Sequence, residues 1–258
     1  ISVNPALKVS FQKEEIPKIL TFKDDEVIRM INYYKGTSFL QVRNKLIMIL
    51  LFDTGIRNTE LCTIKMVDLR ENAISIYGKG KKIRYVPITP AIEKWLMKYL
   101  IIREKYIKDN YDDLVKEYKV KYLKIITLDT ESAALSLIDK VKDGSDFDTL
   151  MTENNGTDAG MVTTKTSSVD SKIIKKLDKF TKDGIYNKVI KTSESKYAVV
   201  YVYNTDKKDL KDEIITNLAS VSDMSTKMET YYLKKYNFDV YESAIKDEIK
   251  ESNEDYFG

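Results

Sequence analysis

Arg57, Lys79, Lys81, Lys82 and Arg84 are cationic side chains placed where the backbone changes direction, a pattern suited to holding an anion. Phe39 to Asp53 (FLQVRNKLIMILLFD) is a largely apolar run long enough for a buried helix, and Gly55 supplies the permissive backbone that ends it. Arg57 then falls just past a helix end. Asn58 or Thr59 is expected to cap a second helix carrying Glu60, Leu61, Ile64 and Met66, which would fix the guanidinium on a rigid helix-to-helix corner. A planar five-donor fork held in that way suits phosphate.

About twenty residues later, Ala73 to Tyr77, Gly78 to Lys82 and Ile83 to Ile88 read as strand, tight turn and strand, with Lys79 between two glycines at the tip. The run Lys79, Lys81, Lys82 and Arg84 fits either a solubilising strand edge or a surface for contact with a polyanion backbone. Arg43 and Asn44 open the long apolar helix and add another cation.

Taken together, TGIRNTEL, a strand, GKGKKIRYVPI and an amphipathic helix with Trp95 resemble the first half of the catalytic domain of tyrosine recombinases, the phage-integrase class. The resemblance covers roughly Leu20 to Arg103. It places Arg57 on the family's first catalytic arginine and Lys79 on the lysine of its β-hairpin. It implies that the arginine stabilises a pentavalent phosphate while the lysine protonates the leaving 5′ oxygen. Arg43, Lys81, Lys82 and Arg84 are the expected DNA-backbone contacts. The family's second box, His-x-x-Arg followed by a His or Trp and the nucleophilic Tyr, has no counterpart: the 258 residues contain no histidine. Catalysis by this sequence is therefore not expected, whereas weak DNA binding is.

The net charge of +3 conceals a split. Residues 1–106 hold 19 Lys and Arg against 11 Asp and Glu, and residues 107–258 hold 24 against 29, an excess of +8 and then −5. A basic first part suits a polyanion and an acidic second part is repelled by one, which favours two modules. Cys62, the single cysteine, cannot form an internal disulfide, and its apolar surroundings predict a small buried hydrophobe. With no histidine, a metal site is not expected, and no cofactor is expected either. The longest apolar run is too short to span a membrane and no signal peptide opens the sequence, so the sequence as written predicts a cytoplasmic protein without a membrane span.

In chain order, residues 1–19 read as an extended linker and Thr21 as the cap of a helix with Val27, Ile28, Ile31 and Tyr34 inward. Pro90 opens a helix from Ala91 to about Ile107 that buries Ile92, Trp95, Leu96 and Tyr99. The helical pattern then continues into Tyr111 to Lys119, so the module boundary is expected inside a helix. Val120 to Ile126 reads as a strand. Thr130 to Lys142 reads as a helix with Ala133, Ala134, Leu137, Ile138 and Val141 inward. A further helical segment (SKIIKKLDKF), the turn Lys182-Asp183-Gly184 and the alternating strand Tyr197 to Tyr203 follow.

That order, with DGSDF after the first helix, KDGIYNKVI before the last strand and SKYAVVYVY as that strand, resembles a parvulin domain. The helical tail Leu210 to Tyr236 is similar to that of the extracellular, membrane-anchored PrsA-type foldases. The resemblance places Lys124 and Ala198 where parvulins carry a histidine in the first and last strands, and it keeps Asp158 and Gly160 of the glycine-rich loop GTDAGMV. Loss of both histidines implies holding of unfolded polypeptide rather than prolyl isomerisation.

The expected fold class is α+β. Residues 1–106 form a mostly helical, partial recombinase-like module with a β-hairpin. Residues 107–258 form a parvulin-like small sheet with flanking helices and a helical C-terminal tail. The alternative is a secreted PrsA-type folding factor preceded by a foreign N-terminal segment. The acidic tail (ESAIKDEIKESNEDYFG) is expected to be a solvated helix and frayed end.

Overall fold

A computed structural model describes residues 21–78 and 82–257. The linker segment 1–19, Lys79 and Lys81 lie outside the described residues. Helix α1 (Asp24–Tyr33) leads to α2 (Phe39–Thr54), which ends at Gly55 in the left-handed conformation (φ 60°, ψ 24°) with the glycine N–H donating to Leu51 O. A side chain at that φ is strained, which is why the apolar run stops there. Helix α3 (Asn58–Thr63) and a short 3-10 turn (Met66–Asp68) connect to strands β1 (Ala73–Tyr77) and β2 (Ile83–Pro87). Thr89 then caps α4 (Pro90–Asp109): its hydroxyl accepts from Ile92 N–H and donates to Asp53 Oδ2 at 2.7 Å, tying the start of α4 to the end of α2.

These elements enclose a core of Val42, Leu46, Ile49 and Leu50 from α2, Ile74, Ile76 and Val86 from the hairpin, and Ile92 and Trp95 from α4. Trp95 is core, as its spacing predicts, with Lys45 and Lys98 nitrogens 4.7 and 4.4 Å from the ring centre. Two expectations about the opening helix are corrected. Thr21 is not its cap. Lys23 is, and Glu26 reaches back to accept the Lys23 N–H at 2.8 Å, so the helix starts later. Ile28 is exposed rather than inward, because α1 packs on α2 by one flank only and buries no residue fully.

Helix α5 (Tyr111–Glu117) leads into β3 (Lys121–Leu128), followed by α6 (Glu131–Lys142), α7 (Phe147–Glu153), β4 (Thr157–Val162), α8 (Ser171–Ile174), β5 (Gly184–Ile185), β6 (Ile190–Lys191) and β7 (Tyr197–Tyr203). The sheet order is β4-β3-β7-β5, antiparallel throughout, with β6 also pairing with β7. GTDAGMV is therefore mostly a strand rather than a loop, an edge strand paired on one side with β3. The alternation of β3 and β7 builds two cores. Leu123, Ala198, Val200 and Val202 pack with Ile173, Leu177 and Phe180 on one face. Ile126 and Val199 pack with Ala134, Leu137, Ile138 and Phe147 on the other. Ala133 is exposed, so the buried stripe of α6 is narrower than expected.

Helices α9 (Lys211–Ala219), α10 (Met224–Lys235) and α11 (Ser243–Ser252) complete the α+β fold. A fourth core joins both parts of the sequence: Phe39, Tyr106 and Ile107 pack with Leu114, Tyr118, Ile214, Leu218, Met228 and Tyr232. The Phe39 and Tyr232 rings stack at 4.7 Å. Position 106/107 thus falls inside α4, at two buried residues. Among the described residues no helix is long and apolar enough to cross a membrane.

Candidate functional site

Arg57 sits between the left-handed end of α2 and the first turn of α3. The expected caps Asn58 and Thr59 are instead the first two residues of α3. The cap is Arg57, whose backbone N–H donates to Glu60 Oε2 at 2.9 Å, so Glu60 reaches back to hold the corner. The same carboxylate accepts from Arg57 Nη1 at 3.1 Å and from Arg84 Nη2 at 2.7 Å. Glu60 is the organising residue of this corner that the sequence reading passed over. Its signal was there, a Glu three positions after a helix start, but the cap was sought in Asn and Thr.

Arg84 reaches Glu60 because of strand parity. It is registered with Ile76 across the hairpin, and paired residues share a face, so its side chain leaves the strand on the side turned toward the core. Gly78, whose N–H donates to Lys82 O at 2.8 Å, lies beside Glu60: a Cβ there would stand 3.9 Å from Oε1. One buried carboxylate, 6% exposed, thereby fixes a helix corner, a strand and the base of the hairpin turn. The Arg57 N–H, followed by Arg84, holds the Glu60 carboxyl below its ordinary range, against the opposing effect of burial.

The charge count at this corner is two guanidiniums to one carboxylate. The Arg57 side chain is 77% exposed and that of Arg84 45%, so both keep donors directed at solvent after satisfying Glu60. Lys82 is exposed just before β2. Arg43 stands apart. Its guanidinium is bound to Glu229 of α10 and to Asn44 Oδ1, and burial lowers its pKa, so it is engaged between helices rather than presented with Arg57. Cys62, expected to be buried, is exposed. It lies two positions from the buried Glu60, about 200° round the helix, on the opposite side.

In the second part, the positions matched to the two parvulin histidines do not form a pair. Ala198 is opposite Thr127 and fully buried among Leu123, Ile190 and Val200. Lys124 is opposite Tyr201, three residues along, and an odd offset puts it on the other face of the sheet. There its ammonium binds Asp148 Oδ2 at 2.7 Å and lies 5.3 Å from the centre of the Tyr203 ring. The Asp148 hydrogen bond raises the Lys124 pKa. Asp158, opposite Lys124 on β4, accepts from the Tyr203 hydroxyl at 2.7 Å and from Gly160 N–H at 2.9 Å.

Comparison with known proteins agrees with the first of these readings over its own segment. Residues 14–131 match the Phage integrase family. The tyrosine recombinase XerC of Thermodesulfovibrio yellowstonii is 38% identical over 108 residues, 40% of this chain and 35% of that one. XerD of Oceanobacillus iheyensis is 34% identical over 120 residues, 45% of this chain and 37% of that one. Among solved structures, PrsA from Bacillus cereus aligns over 88% of this chain and 86% of its own at 15% identity, with a TM-score of 0.35. PrsA from Bacillus subtilis aligns over 86% and 84% at 17% identity, with a TM-score of 0.29. The chain spans about a third of the length of the curated relatives it matches, and over residues 14–131 it resembles the tyrosine recombinases of the Phage integrase family.

Proposed function

We propose that the Arg57–Glu60–Arg84 corner is a DNA-phosphate site, and that this chain grips a DNA backbone without cutting it. The observation that carries the reading is the geometry at Glu60: one buried carboxylate orients two arginines and leaves both guanidiniums with outward donors. A guanidinium held in this way meets a phosphodiester with charge-assisted, bidentate bonds. Lys82, exposed beside β2, adds a further cation near the corner, and in the sequence it follows Lys79, between its two glycines, and Lys81. In the roles that the resemblance implies, Arg57 stabilises charge on the phosphate and Lys79 protonates a leaving oxygen. Neither role completes a reaction without a nucleophile and its partners, and the sequence has no His-x-x-Arg box.

Binding of a short duplex to the full-length chain tests the reading. With about 5 phosphate contacts, affinity should fall about 500-fold between 50 and 200 mM salt, and base sequence should not matter. Strand cleavage should be absent, even on a nicked substrate. Affinity that ignores salt, or that is unchanged in both Arg57→Ala and Lys79→Ala, defeats it.

For residues 107–258 one observation favours holding polypeptide over isomerising it: Lys124 and Ala198 lie on opposite faces of the sheet. The chain should slow aggregation of an unfolding client yet leave the isomerisation of an X-Pro peptide at its uncatalysed tens to hundreds of seconds. Acceleration that scales with protein concentration contradicts this.

A further inference from the structure

A cavity of about 450 Å3 lies between α2, α3, α4 and the α9–α10 turn. That is within the range of small-molecule sites, roughly 300–1,000 Å3. Leu50, Leu61, Leu96 and Val221 give it apolar walls. Its charged lining is one-sided: Arg43, Lys65 and Arg103 contribute, and no aspartate or glutamate does. Arg43 is neutralised by Glu229. Arg103 is not neutralised by any described carboxylate. It is 4% exposed, its Nη1 donates to Ser225 Oγ at 2.7 Å, its Nη2 donates to Ala219 O, and its Nε has no partner. A buried cation with only neutral acceptors and one orphaned donor is costly, and a counter-anion relieves that cost.

We infer that this cavity binds a small amphipathic anion, a single-chain aliphatic carboxylate, with its head toward Arg103 and the α9–α10 turn and its tail along the leucines of α2, α3 and α4. Apolar walls alone would accept any oily molecule. The uncompensated guanidinium selects the anionic one. The site is independent of the DNA-phosphate reading, since Arg57 and Arg84 do not line it.

Decanoate is the probe, with decanol and decyltrimethylammonium as controls of the same tail, all below micellar concentration and titrated calorimetrically into the full-length chain. Decanoate should bind at one site at least tenfold more tightly than either control. Arg103→Gln should remove that preference and Arg103→Lys should restore part of it. Because Arg103 also joins α4 to α9 and α10, a second variant acts on the wall: Leu61→Trp, which fills the cavity, should abolish binding of all three. Cys62 lines the cavity and is the only thiol, so saturating decanoate should slow its alkylation by maleimide at least fivefold. Equal binding of decanoate and decanol, binding that survives Leu61→Trp, or no binding by wild type overturns the inference.

Discussion

The carboxylate–cation clusters at Glu60 and at Lys124 are built in opposite senses. At the helix corner the carboxylate is inside and the cations are outside: Glu60 is 6% exposed, while the Arg57 side chain is 77% exposed. On the sheet the cation is inside and the carboxylate outside: the Lys124 side chain is 19% exposed, against the Tyr203 ring, and that of Asp148 is 56% exposed. The corner pairs two guanidiniums with one anion and so presents spare positive charge. The sheet cluster pairs one ammonium with one carboxylate and leaves none. At the corner the buried anion leaves positive charge facing solvent, whereas on the sheet the cation is matched by its exposed carboxylate.

The largest expected effect comes from the core shared by the parts bearing these clusters. Phe39→Ala takes out a 2%-exposed ring stacked on Tyr232 and should lower the free energy of unfolding by about 3 kcal/mol, read from chemical denaturation. A loss under about 1 kcal/mol would mean that the shared core contributes little. Next is the contrast itself. Arg57→Ala should weaken duplex binding about tenfold, or about 1.4 kcal/mol, and flatten its salt slope by about one, while Lys124→Met should leave both unchanged. If the two variants weaken binding alike, the difference in exposed charge is not what selects DNA.

Acid and alkali should then separate the clusters. Glu60 has a lowered folded pKa, so its stabilisation is present above the ordinary 4.5 and is lost as pH falls through the lower folded value. Lys124 has a raised folded pKa, so its contribution is present below 10.5 and is lost as pH rises through the higher folded value. Denaturation midpoints across pH should show Glu60→Gln converging on wild type at the acid end and Lys124→Met converging at the alkaline end. The reverse assignment is incompatible with these environments. The smallest effect is the thermal one: Lys124→Met should shift the midpoint by no more than about 2 °C, because its partner carboxylate is more than half exposed and the pair is screened by solvent.

Much of the corner was legible because its determinants are local. The apolar run, Gly55, Arg57 and the two strands fall within one short stretch, and the glycine, the paired strands and Trp95 behave in the structure as their types dictate. What was not legible needed distance or parity. Arg43 looked like a free cation because its partner, Glu229, lies 186 residues away. Lys124 and Ala198 were matched by position, and position alone does not say which face of a strand a residue takes. Glu60 was read as one more helix residue, although a carboxylate at the third position of a helix commonly reaches back to its start.

A double-mutant cycle on duplex binding tests most directly whether Glu60 makes one unit of the two arginines. Affinities of wild type, Glu60→Gln, Arg84→Ala and the pair would be measured at one salt concentration. If Glu60 acts by orienting the guanidiniums, the double variant should lose less than the sum of the two single losses, with a coupling of at least about 0.5 kcal/mol. Losses that simply add would show that Arg57 and Arg84 contact DNA as independent surface charges, and that the buried carboxylate does not organise the site.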